Sequence, residues 1–427
     1  MIAAIARRLP FFYGWLVVAV VFVTMAIGVN ARTAFSLLFP PILDEFGWNR
    51  GVTAGAFSFG FLVSALLTPG LGRLMDRKGP VWVMELGALA LAAGMVLATY
   101  ATEPWHLYAT LGVLVGGASV AVGYTGQGLY LPNWFVRNRG LAISIAYSGA
   151  GAGSILLLPY LQHLIATSGW RAACWTVAVV AIVLLVPLNL LLRRRPQELG
   201  LTPDGDSAAA ALSRRNLTIV DPAWAAIEWT LARAMRTRRF WWIALASFGA
   251  LFAWYAVQVH QTKYLLDIGF DGETAGWALG VVSLAGIPGQ IVMGAVSDRV
   301  GREPVWTLGC LGFTLTYALL IGLAYVPSLI LLWLMVLAQG TLGYAVTSVL
   351  SAVTAEVFEG RHFGAIFSTI MLAAIAGGAA GPYAVGVLHD LQGSDVPGFV
   401  LSGGFSLVSA AAIWMAGPRK VRRVGRP

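Results

Sequence analysis

Gly-Arg-Leu-Met-Asp-Arg-Lys-Gly, at residues 72–79, is a short basic loop between two long apolar runs. A second copy, Gly-Ala-Val-Ser-Asp-Arg-Val-Gly-Arg, follows at residues 294–302 and lies again between apolar runs. Asp76 of the first copy and Asp298 of the second are 222 residues apart. This offset also relates two other pairs of landmarks, namely Arg139 with Arg361 and Gly47 with Gly269. A shared period over separate landmarks indicates that the chain consists of two copies of one half.

The composition places the chain in a membrane. Of its 427 residues, 58% are hydrophobic and only 11% are charged, whereas soluble domains have about 25% charged residues. A spanning helix needs about 20 apolar residues, and the apolar runs accommodate about twelve. We therefore predict an all-α membrane protein with twelve transmembrane helices in two pseudo-symmetric six-helix bundles. The first apolar run is too long for the core of a cleavable signal peptide, so we expect none.

A polar stretch in the middle of the chain divides it into the two halves. The predicted domains are an N-terminal bundle at 1–192, a cytoplasmic linker at 193–239, a C-terminal bundle at 240–416 and a basic cytoplasmic tail at 417–427. The last part of the linker, Pro222–Arg239, mixes tryptophans with arginines, and this pattern predicts an amphipathic helix at the membrane surface. Calmodulin or nucleic acid as the partner of that basic segment is the less favoured alternative.

The basic residues are distributed by topology. The net charge is +9, but the Lys and Arg residues concentrate in the termini and in alternate loops. The exceptions are Arg32, Arg50, Arg171 and Lys263. The positive-inside rule then places both termini and the central linker in the cytoplasm, which requires an even number of spans. Nucleic acid is accordingly not an expected partner, and the inner membrane of a cell is the expected location.

Asn30 and Arg32 interrupt the first span, and both are candidates for substrate binding. A helix over residues 12–40 would be about 43 Å long at about 1.5 Å per residue, so Arg32 would lie about two-thirds of the way along it. One interpretation is that the Arg32 guanidinium reaches the outer headgroups, as long side chains near helix ends do. The other is that it binds an anion in a central cavity. Position alone does not separate these interpretations.

Further polar side chains inside the predicted spans are candidates for a cavity. Polar groups in lipid are costly unless they line water or protein. In the seventh span, Trp254, Gln258 and Gln261 share a helix face by their spacing, with His260 turned about 100° from Gln261. A lone histidine in a span is more often a packing residue, but its polar neighbours favour a cavity face. The remaining candidates, from spans four, ten and eleven, are Tyr124, Gln127, Gln339, Tyr344 and Tyr383.

Patterns typical of enzymes and pumps are missing from the sequence. It has no metal-spaced His/Cys cluster, no Gly-rich phosphate loop followed by Lys and Ser/Thr, and no nucleophile with a plausible base. We therefore expect neither an enzyme nor a cofactor or metal. Glu85 and Glu356 lie at span ends, so a buried carboxylate relay is not expected either.

Twelve spans, two halves and the repeated Gly-x-x-x-Asp-Arg-x-Gly loop resemble the major facilitator superfamily, and the resemblance covers the whole chain. It implies that each loop carboxylate lies at the start of a helix from the opposite half and helps to hold the cytoplasmic side closed. Asp76 would then face the start of span 11 near Gly364, and Asp298 the start of span 5 near Gly140. The implied gating residues are Asp76, Arg77, Asp298, Arg299 and Arg302. The first copy departs from the family pattern at Pro80, where Arg or Lys is usual.

Smaller motifs resemble the monocarboxylate porter and oxalate/formate antiporter branch of that superfamily. They include Tyr-Gly-Trp at residues 13–15, Phe-Gly-Trp at 46–48 and Trp-Phe at 134–135. The resemblance places the branch's cationic residue of span 1 on or beside Arg32, which favours a functional role for this residue. However, span 8 from Thr274 to Val296 has no charge, whereas the branch carries an arginine there. The lysine that oxalate exchangers carry in span 11 is also absent.

We therefore expect a monomeric secondary transporter of the lipid bilayer that moves a small organic anion by alternating access. Its coupling would be proton symport, with His260 as the candidate proton carrier, or anion exchange. The expected alternative is an efflux transporter for hydrophobic or cationic compounds, because aromatic side chains are abundant in the predicted cavity. A membrane sensor that binds a ligand without transport is the least favoured alternative, since the short termini and the linker carry no additional domain.

Overall fold

A computed structural model describes residue 6 and residues 9–48, 50–207 and 218–423. Within these residues, twelve helices are long and apolar enough to cross a membrane, which confirms the predicted fold class. In chain order they are α1 Tyr13–Phe46, α2 Arg50–Lys78, α3 Pro80–Ala98, α4 Pro104–Asn133, α5 Arg139–Ser168, α6 Trp170–Asn189, α7 Arg238–Asp267, α8 Gly272–Val300, α9 Arg302–Tyr325, α10 Leu329–Val357, α11 Phe363–Gln392 and α12 Val396–Ala416.

Helices are the expected solution for these sequences, because a span in lipid must satisfy its backbone hydrogen bonds internally. The described residues contain no strand, and their one isolated β-bridge joins Ile219 to Arg422. The helix α1 continues six residues beyond the expected end at residue 40, through Pro40 and Pro41 to Phe46, with a single turn residue at Ala34. Arg32 thus lies just before that turn, in the last turn of the first helical segment.

The chain forms two compact units, and each unit includes a short segment from the other half of the sequence. The first unit comprises Met1–Val136, Ile145–Ala211 and His362–Ser368, so it contains the start of α11. The second comprises Arg137–Ser144, Leu212–Arg361 and Thr369–Pro427, so it contains the start of α5. The two helix starts that the resemblance singles out are therefore the segments that cross over between the sequence halves.

Each unit has an apolar core of its own. In the first unit the core is built mainly from small and aliphatic side chains such as Ala88, Leu91 and Met95 of α3. In the second unit the corresponding core contains a group of large aromatic residues, namely Tyr264, Phe313, Tyr317 and Phe399. The tyrosine hydroxyls are satisfied inside the core, since Tyr264 donates to the Leu320 carbonyl and Tyr317 to the Ala253 carbonyl.

Two helices depart from regular α-helical geometry near the candidate residues. The helix α4 has a π-helical segment at Tyr108–Val115 and breaks at Gly123, whose backbone is extended. The helix α10 has a π-helical segment at Ala338–Gly343. Such irregular turns are frequent at functional sites.

The segment before α7 differs from the expected single amphipathic helix over Pro222–Arg239. It contains two short helices, Pro222–Ala225 and Leu231–Met235, each with its own N-cap. The second cap, Thr230, accepts a hydrogen bond from the Arg233 amide and so begins a new helix in the middle of the segment. The tryptophans that suggested a membrane-facing stripe instead pack on the protein, because Trp224 and Trp229 both contact the Phe358 ring.

Candidate functional site

Arg32 is held in place by side chains from two other helices of the first unit. Its guanidinium carbon lies 3.5 Å from the centroid of the Phe61 ring and 5.6 Å from that of Phe57, both on α2. Its Nη1 donates to Ser119 Oγ of α4 at 3.3 Å. Ser119 in turn donates to the Gly116 carbonyl at 2.7 Å, which fixes the direction of its oxygen. The guanidinium therefore has one face covered by an aromatic ring and one nitrogen oriented by a hydroxyl.

A small crevice in the first unit lies beside Arg32. Apart from the guanidinium, its walls are apolar, and it is too small for anything larger than a water molecule. Its lining residues are Ala31, Arg32, Phe35, Leu38, Phe57, Gly60, Met95, Leu111, Val115 and Gly116. The site thus combines one cation with an apolar wall.

Asn30 is fully buried, and both ends of its side-chain amide are used within the protein. Its Nδ2 donates to the carbonyls of Ala26 and Ala150 at 2.9 Å each, and its Oδ1 accepts from Ser154 Oγ at 2.8 Å. These bonds join α1 to α5. The geometry therefore supports a role in helix packing, while the contact with substrate expected from the sequence remains a prediction.

Tyr124 and Gln127 follow the break in α4. The break at Gly123 leaves the Val122 carbonyl without a regular helical partner, and Gln127 Nε2 approaches that carbonyl at 3.4 Å. Gln127 is fully buried, and its Oε1 accepts a hydrogen bond from the Tyr130 hydroxyl. Tyr124 is half-buried and meets the Tyr147 ring edge-on, with ring centroids 5.1 Å apart. Gln127 thus donates to a backbone carbonyl next to the break in the helix. Tyr124 is the more accessible of the two side chains.

In the second unit, an aromatic group brings α7 and α10 together. The Trp254 ring centroid lies 4.4 Å from that of Tyr344 and 5.6 Å from that of Phe313 on α9. Gln258, one turn after Trp254, is half-buried and interacts with the Tyr344 hydroxyl. Three of the sequence candidates, Trp254, Gln258 and Tyr344, therefore do form one cluster.

His260 is tied to α11. Its Nε2 lies 3.0 Å from the Pro382 carbonyl oxygen. A carbonyl can only accept, so in this contact Nε2 carries the hydrogen. The next residue of α11, Tyr383, is 75% exposed. His260 thus joins α7 to α11, whereas Trp254 and Gln258 of the same helix contact α10.

Gln261 and Gln339 are two further buried candidates. Their relative exposures are 0% and 1%, and within the described part of the chain neither side-chain amide has a hydrogen-bond partner. A buried amide without a partner costs about 1–3 kcal/mol. Their proposed contact with a substrate remains a prediction.

The carboxylate of the second basic loop lies at the start of α5, where the resemblance places it. Asp298 Oδ1 and Oδ2 accept from the backbone amides of Gly140 and Leu141 at 2.8 and 2.9 Å. The first amides of a helix lack intrahelical acceptors and carry partial positive charge, so a carboxylate is stabilised there. We call this arrangement the Asp298 site.

Buried charges of the second unit complete the Asp298 site. Arg302, only 1% exposed, donates from Nη1 to Asp298 at 2.7 Å and from Nε to Glu356 of α10 at 2.8 Å. Arg139 approaches the same glutamate at 3.9 Å. Arg302 therefore bridges two buried carboxylates. The sequence pattern marked Arg302 as a gating residue, but it did not indicate that Glu356 is its ion-pair partner or that Arg139 lies beside that glutamate.

The first basic loop repeats the contact with the helix start but has a different cation. In this Asp76 site, the Asp76 carboxylate accepts from the amides of Gly364 and Ala365, at the start of α11, at 3.1 and 2.9 Å. Arg194, which follows α6, donates from Nη2 to Asp76 Oδ1 at 2.6 Å and from Nη1 to the Asp76 carbonyl at 2.7 Å. Nothing in the sequence pattern marked Arg194 among its basic neighbours.

Both helix starts need glycine for this close approach. A Cβ on Gly140 would lie 2.3 Å from Ser297 Oγ and 2.4 Å from the Gly294 carbonyl. A Cβ on Gly364 would lie 2.7 Å from Asp76 Oδ1 and from the Gly72 carbonyl. The loop glycines and the helix-start glycines thus face each other at both sites.

Arg77 and Arg299 differ from the aspartates that precede them. Both side chains are exposed, and in the ranges that the structure describes neither forms an ion pair. Their assignment as gating residues stays a prediction, whereas the buried cations of the two sites are Arg194 and Arg302.

Comparison with known proteins supports the architecture. The family model described as Major Facilitator Superfamily matches residues 16–351 and 261–427. Monocarboxylate transporter 13 of Rattus norvegicus is 28% identical over 402 residues, which cover 94% of this chain and 88% of the relative. Monocarboxylate transporter 11 of Homo sapiens is 28% identical over 422 residues, or 97% of this chain and 84% of the relative.

Solved structures show the same fold. The proton:xylose symporter XylE bound to 6-bromo-6-deoxy-D-glucose superposes with a TM-score of 0.70 at 13% identity, over 94% of this chain and 95% of that chain. The transporter FucP in the outward conformation gives a TM-score of 0.67 at 16% identity, over 94% and 98%. At such identities the likeness concerns the fold alone.

Proposed function

Because the chain belongs to the Major Facilitator Superfamily, and is thus a multi-pass membrane transporter of small molecules, we propose that it carries a small organic anion of the monocarboxylate type. The transport would be secondary and would proceed by alternating access, in the inner membrane, with both termini in the cytoplasm. The observation that carries this proposal is the environment of Arg32.

The position of Arg32 is costly unless it serves a purpose. Arg32 lies 19 residues after Tyr13, or about 28 Å along α1 at about 1.5 Å per residue. A cation at such a position is expected to face protein or water rather than lipid. The ring of Phe61 against its face and the Ser119 hydroxyl at Nη1 keep it inside the first unit. This arrangement supports an internal anion site over a guanidinium extended to the headgroups.

A carboxylate is the anion that fits best. The planar fork of a guanidinium binds a carboxylate through two parallel hydrogen bonds, and it can do so while one face is stacked on an aromatic ring. The crevice beside Arg32 has to open in the transport cycle before the apolar residues that line it, such as Phe35 and Leu111, would receive the rest of the anion. The names of rat monocarboxylate transporter 13 and human monocarboxylate transporter 11 describe substrates of this class.

Coupling would use either protons or a second anion. In the proton symport version, His260 is the carrier: its Nε2 hydrogen is directed at Pro382, so Nδ1 would exchange the proton. In the exchange version, Arg32 would bind one anion in each direction without a proton. In both versions, the bonds of Asp76 and Asp298 to the starts of α11 and α5 would break and re-form in each transport cycle.

The test is uptake into proteoliposomes that contain the purified chain. We expect uptake of at least one of acetate, butyrate and benzoate, and a loss of roughly tenfold or more in Arg32→Ala, because removing one partner of a desolvated charge pair is costly. Arg32→Lys keeps the charge but loses the fork, so it should retain intermediate uptake. Lys263→Ala is the matched control, since it removes an exposed cation that pairs with Asp267 on the surface of α7.

Two results would count against the anion site. Full carboxylate uptake by Arg32→Ala would remove Arg32 as the anchor, and no uptake of any carboxylate by the wild type would remove the substrate class. Repeating the assay with and without a pH gradient separates the coupling versions. Uptake that follows the gradient in the wild type and not in His260→Gln supports the proton carrier.

The second candidate function is efflux of hydrophobic or cationic compounds. The aromatic group of Trp254, Phe313 and Tyr344 favours it, because aromatic faces bind apolar groups and cations. Under this alternative, expression would raise tolerance to lipophilic cations, and Arg32→Ala would not change that tolerance.

A further inference from the structure

The Asp76 site lacks the ion pair of an arginine and a glutamate that is part of the Asp298 site. At the 222-residue offset of the repeat, Pro80 stands where the second copy has Arg302, and Trp134 stands where it has Glu356. The ion pair of the second copy is thus replaced by two uncharged residues. The Asp76 side chain is nevertheless only 8% exposed. A buried carboxylate needs a compensating charge or several hydrogen bonds, so the missing cation must come from another part of the chain.

Arg194 supplies this cation. It follows α6, more than a hundred residues after the loop, and its side chain is 13% exposed. Nη2 donates to Asp76 Oδ1 and Nη1 to the Asp76 carbonyl, so the guanidinium contacts both the side chain and the backbone of the loop. Arg302 contacts Asp298 in the other copy through one nitrogen and uses another for Glu356.

Trp134 fixes the position from which Arg194 acts. The Trp134 Nε1 donates to the Arg193 carbonyl at 3.0 Å, and Asn133 Nδ2 donates to the Arg194 carbonyl at 3.3 Å. Trp134 itself is fully buried. The residue that replaces the glutamate of the other copy therefore anchors the backbone beside the arginine that replaces the lost cation.

The segment that carries Arg194 is attached at its other end, too, to the residues around Trp134. Asp204 accepts from the Val136 amide at 2.9 Å, and its own amide donates to the Trp134 carbonyl at 3.1 Å. We call residues 193–206 the bracket segment. The sequence pattern predicted a linker between the two halves. Within it, the bracket segment is bonded to residues 133–136 both near its start, at Arg193 and Arg194, and near its end, at Asp204.

We propose that Arg194, held by the bracket segment, is the positioning residue that directs Asp76 onto the start of α11, in place of the arginine that the first basic loop lacks. The second copy carries its cation within its own loop. Release of the Asp76 site is therefore under the control of the bracket segment, and anything that displaces this segment would free the start of α11 without affecting the start of α5. This role does not depend on the identity of the substrate.

The test measures amide hydrogen exchange of the full chain in lipid nanodiscs, with no substrate added. The informative peptides cover residues 362–368 and 139–144, because the amides at each helix start have no intrahelical acceptor and report on the carboxylate that caps them. In Arg194→Ala, we expect roughly tenfold faster exchange at the start of α11 and no change at the start of α5, since a hydrogen bond to a charged group is lost or loosened.

Two variants make the result specific. Arg193→Ala removes the neighbouring cation, whose guanidinium donates to the Leu190 and Leu192 carbonyls, and should leave both peptides unchanged. Pro80→Arg in the Arg194→Ala background places a cation where Arg302 stands in the other copy, after Gly79, whose φ of +80° resembles the +100° of Gly301. We expect this double variant to restore slow exchange at residues 362–368.

Unchanged exchange in Arg194→Ala would overturn the proposal, and so would failure of Pro80→Arg to restore protection. If Arg194→Ala yields no folded protein, the same comparison is made on the yield of monodisperse protein. Recovery of that yield by Pro80→Arg then supports the proposal, and no recovery overturns it. A negative result in the exchange experiment would not change carboxylate uptake by the wild type. The two experiments therefore test this proposal and the transport proposal independently.

Discussion

The Asp76 and Asp298 sites perform the same contact with different supporting residues. Each aspartate accepts from the amides of the second and third residues of a helix, the second being glycine in both cases, at distances between 2.8 and 3.1 Å. The cation is Arg302 in one case, four residues after the aspartate, and Arg194 in the other, 118 residues away. The carboxylate, the glycine and the helix start are thus the shared elements, and the cation can come from any segment that reaches the loop.

This difference changes what each site depends on. The Asp298 site is a closed group in which Arg302 joins Asp298 to Glu356, and both ion pairs lie at low exposure. The Asp76 site depends on a further segment, because the backbone carbonyls of Arg193 and Arg194 accept hydrogen bonds from the side chains of Trp134 and Asn133. We therefore expect removal of the cation of the Asp298 site to lower the stability of the chain. Removal of the cation of the Asp76 site should instead increase the motion of the start of α11.

The largest expected effect comes from removing the bridging cation of the Asp298 site. Arg302→Ala removes the cation of the buried Asp298 carboxylate and the nearer of the two arginines at Glu356, and we expect a destabilisation of about 3–5 kcal/mol. Thermal unfolding of the purified chain in detergent measures it. Arg299→Ala, which removes an exposed arginine at the end of α8, three residues before Arg302, should change stability by no more than about 0.5 kcal/mol. Equal effects of the two substitutions would contradict the assignment of Arg302.

A methyl group at either helix start tests how closely the two sites correspond. Gly140→Ala and Gly364→Ala both place a Cβ inside the contact, and such overpacking costs about 1–3 kcal/mol. Gly140→Ala should cost more, because its Cβ would meet the Gly294 carbonyl at 2.4 Å, against 2.7 Å to the Gly72 carbonyl for Gly364→Ala. Unfolding temperatures rank the two variants. Gly322→Ala is the control, since a Cβ there would meet nothing within 4 Å.

The smallest expected effect sharpens the link between Trp134 and Arg194. Trp134→Phe keeps an aromatic ring in the core but removes the Nε1 donor to the Arg193 carbonyl. Losing a neutral hydrogen bond of this kind costs about 0.5–1.5 kcal/mol. We expect a severalfold increase in amide exchange at residues 362–368, smaller than that of Arg194→Ala. No change at this peptide would show that Arg194 is positioned without Trp134.

Much of the architecture could be predicted from the sequence. Apolar runs of sufficient length predict spans because lipid leaves the backbone no other hydrogen-bond partners, and all twelve predicted spans are confirmed. The repeat and its Gly-x-x-x-Asp-Arg loop indicated the superfamily, which is also confirmed. Asp76 and Asp298 lie at the helix starts that the resemblance named, although their role in gating stays a prediction.

The partners of the candidate residues were not predictable. Arg194 is one of three consecutive arginines, and only the fold brings it, rather than Arg193, against Asp76. Asn30 and Gln127 are predicted to bind the substrate, and this stays a prediction, but their burial and their bonds within the protein could not be read from the sequence. Helical spacing gives the face on which a side chain lies, and not what covers that face.

The sequence by itself determined that the chain spans a membrane twelve times as two related halves, because hydropathy and repetition are properties of the linear order of residues. It also located Arg32 and the two loop aspartates by their charge. Only the tertiary structure decided which cation balances each aspartate, since an ion pair depends on distance in space and Arg194 and Asp76 are far apart in the chain. The two copies of the motif thus differ in the source of the cation: the second copy carries Arg302 itself, whereas the first is paired with Arg194 from outside the loop.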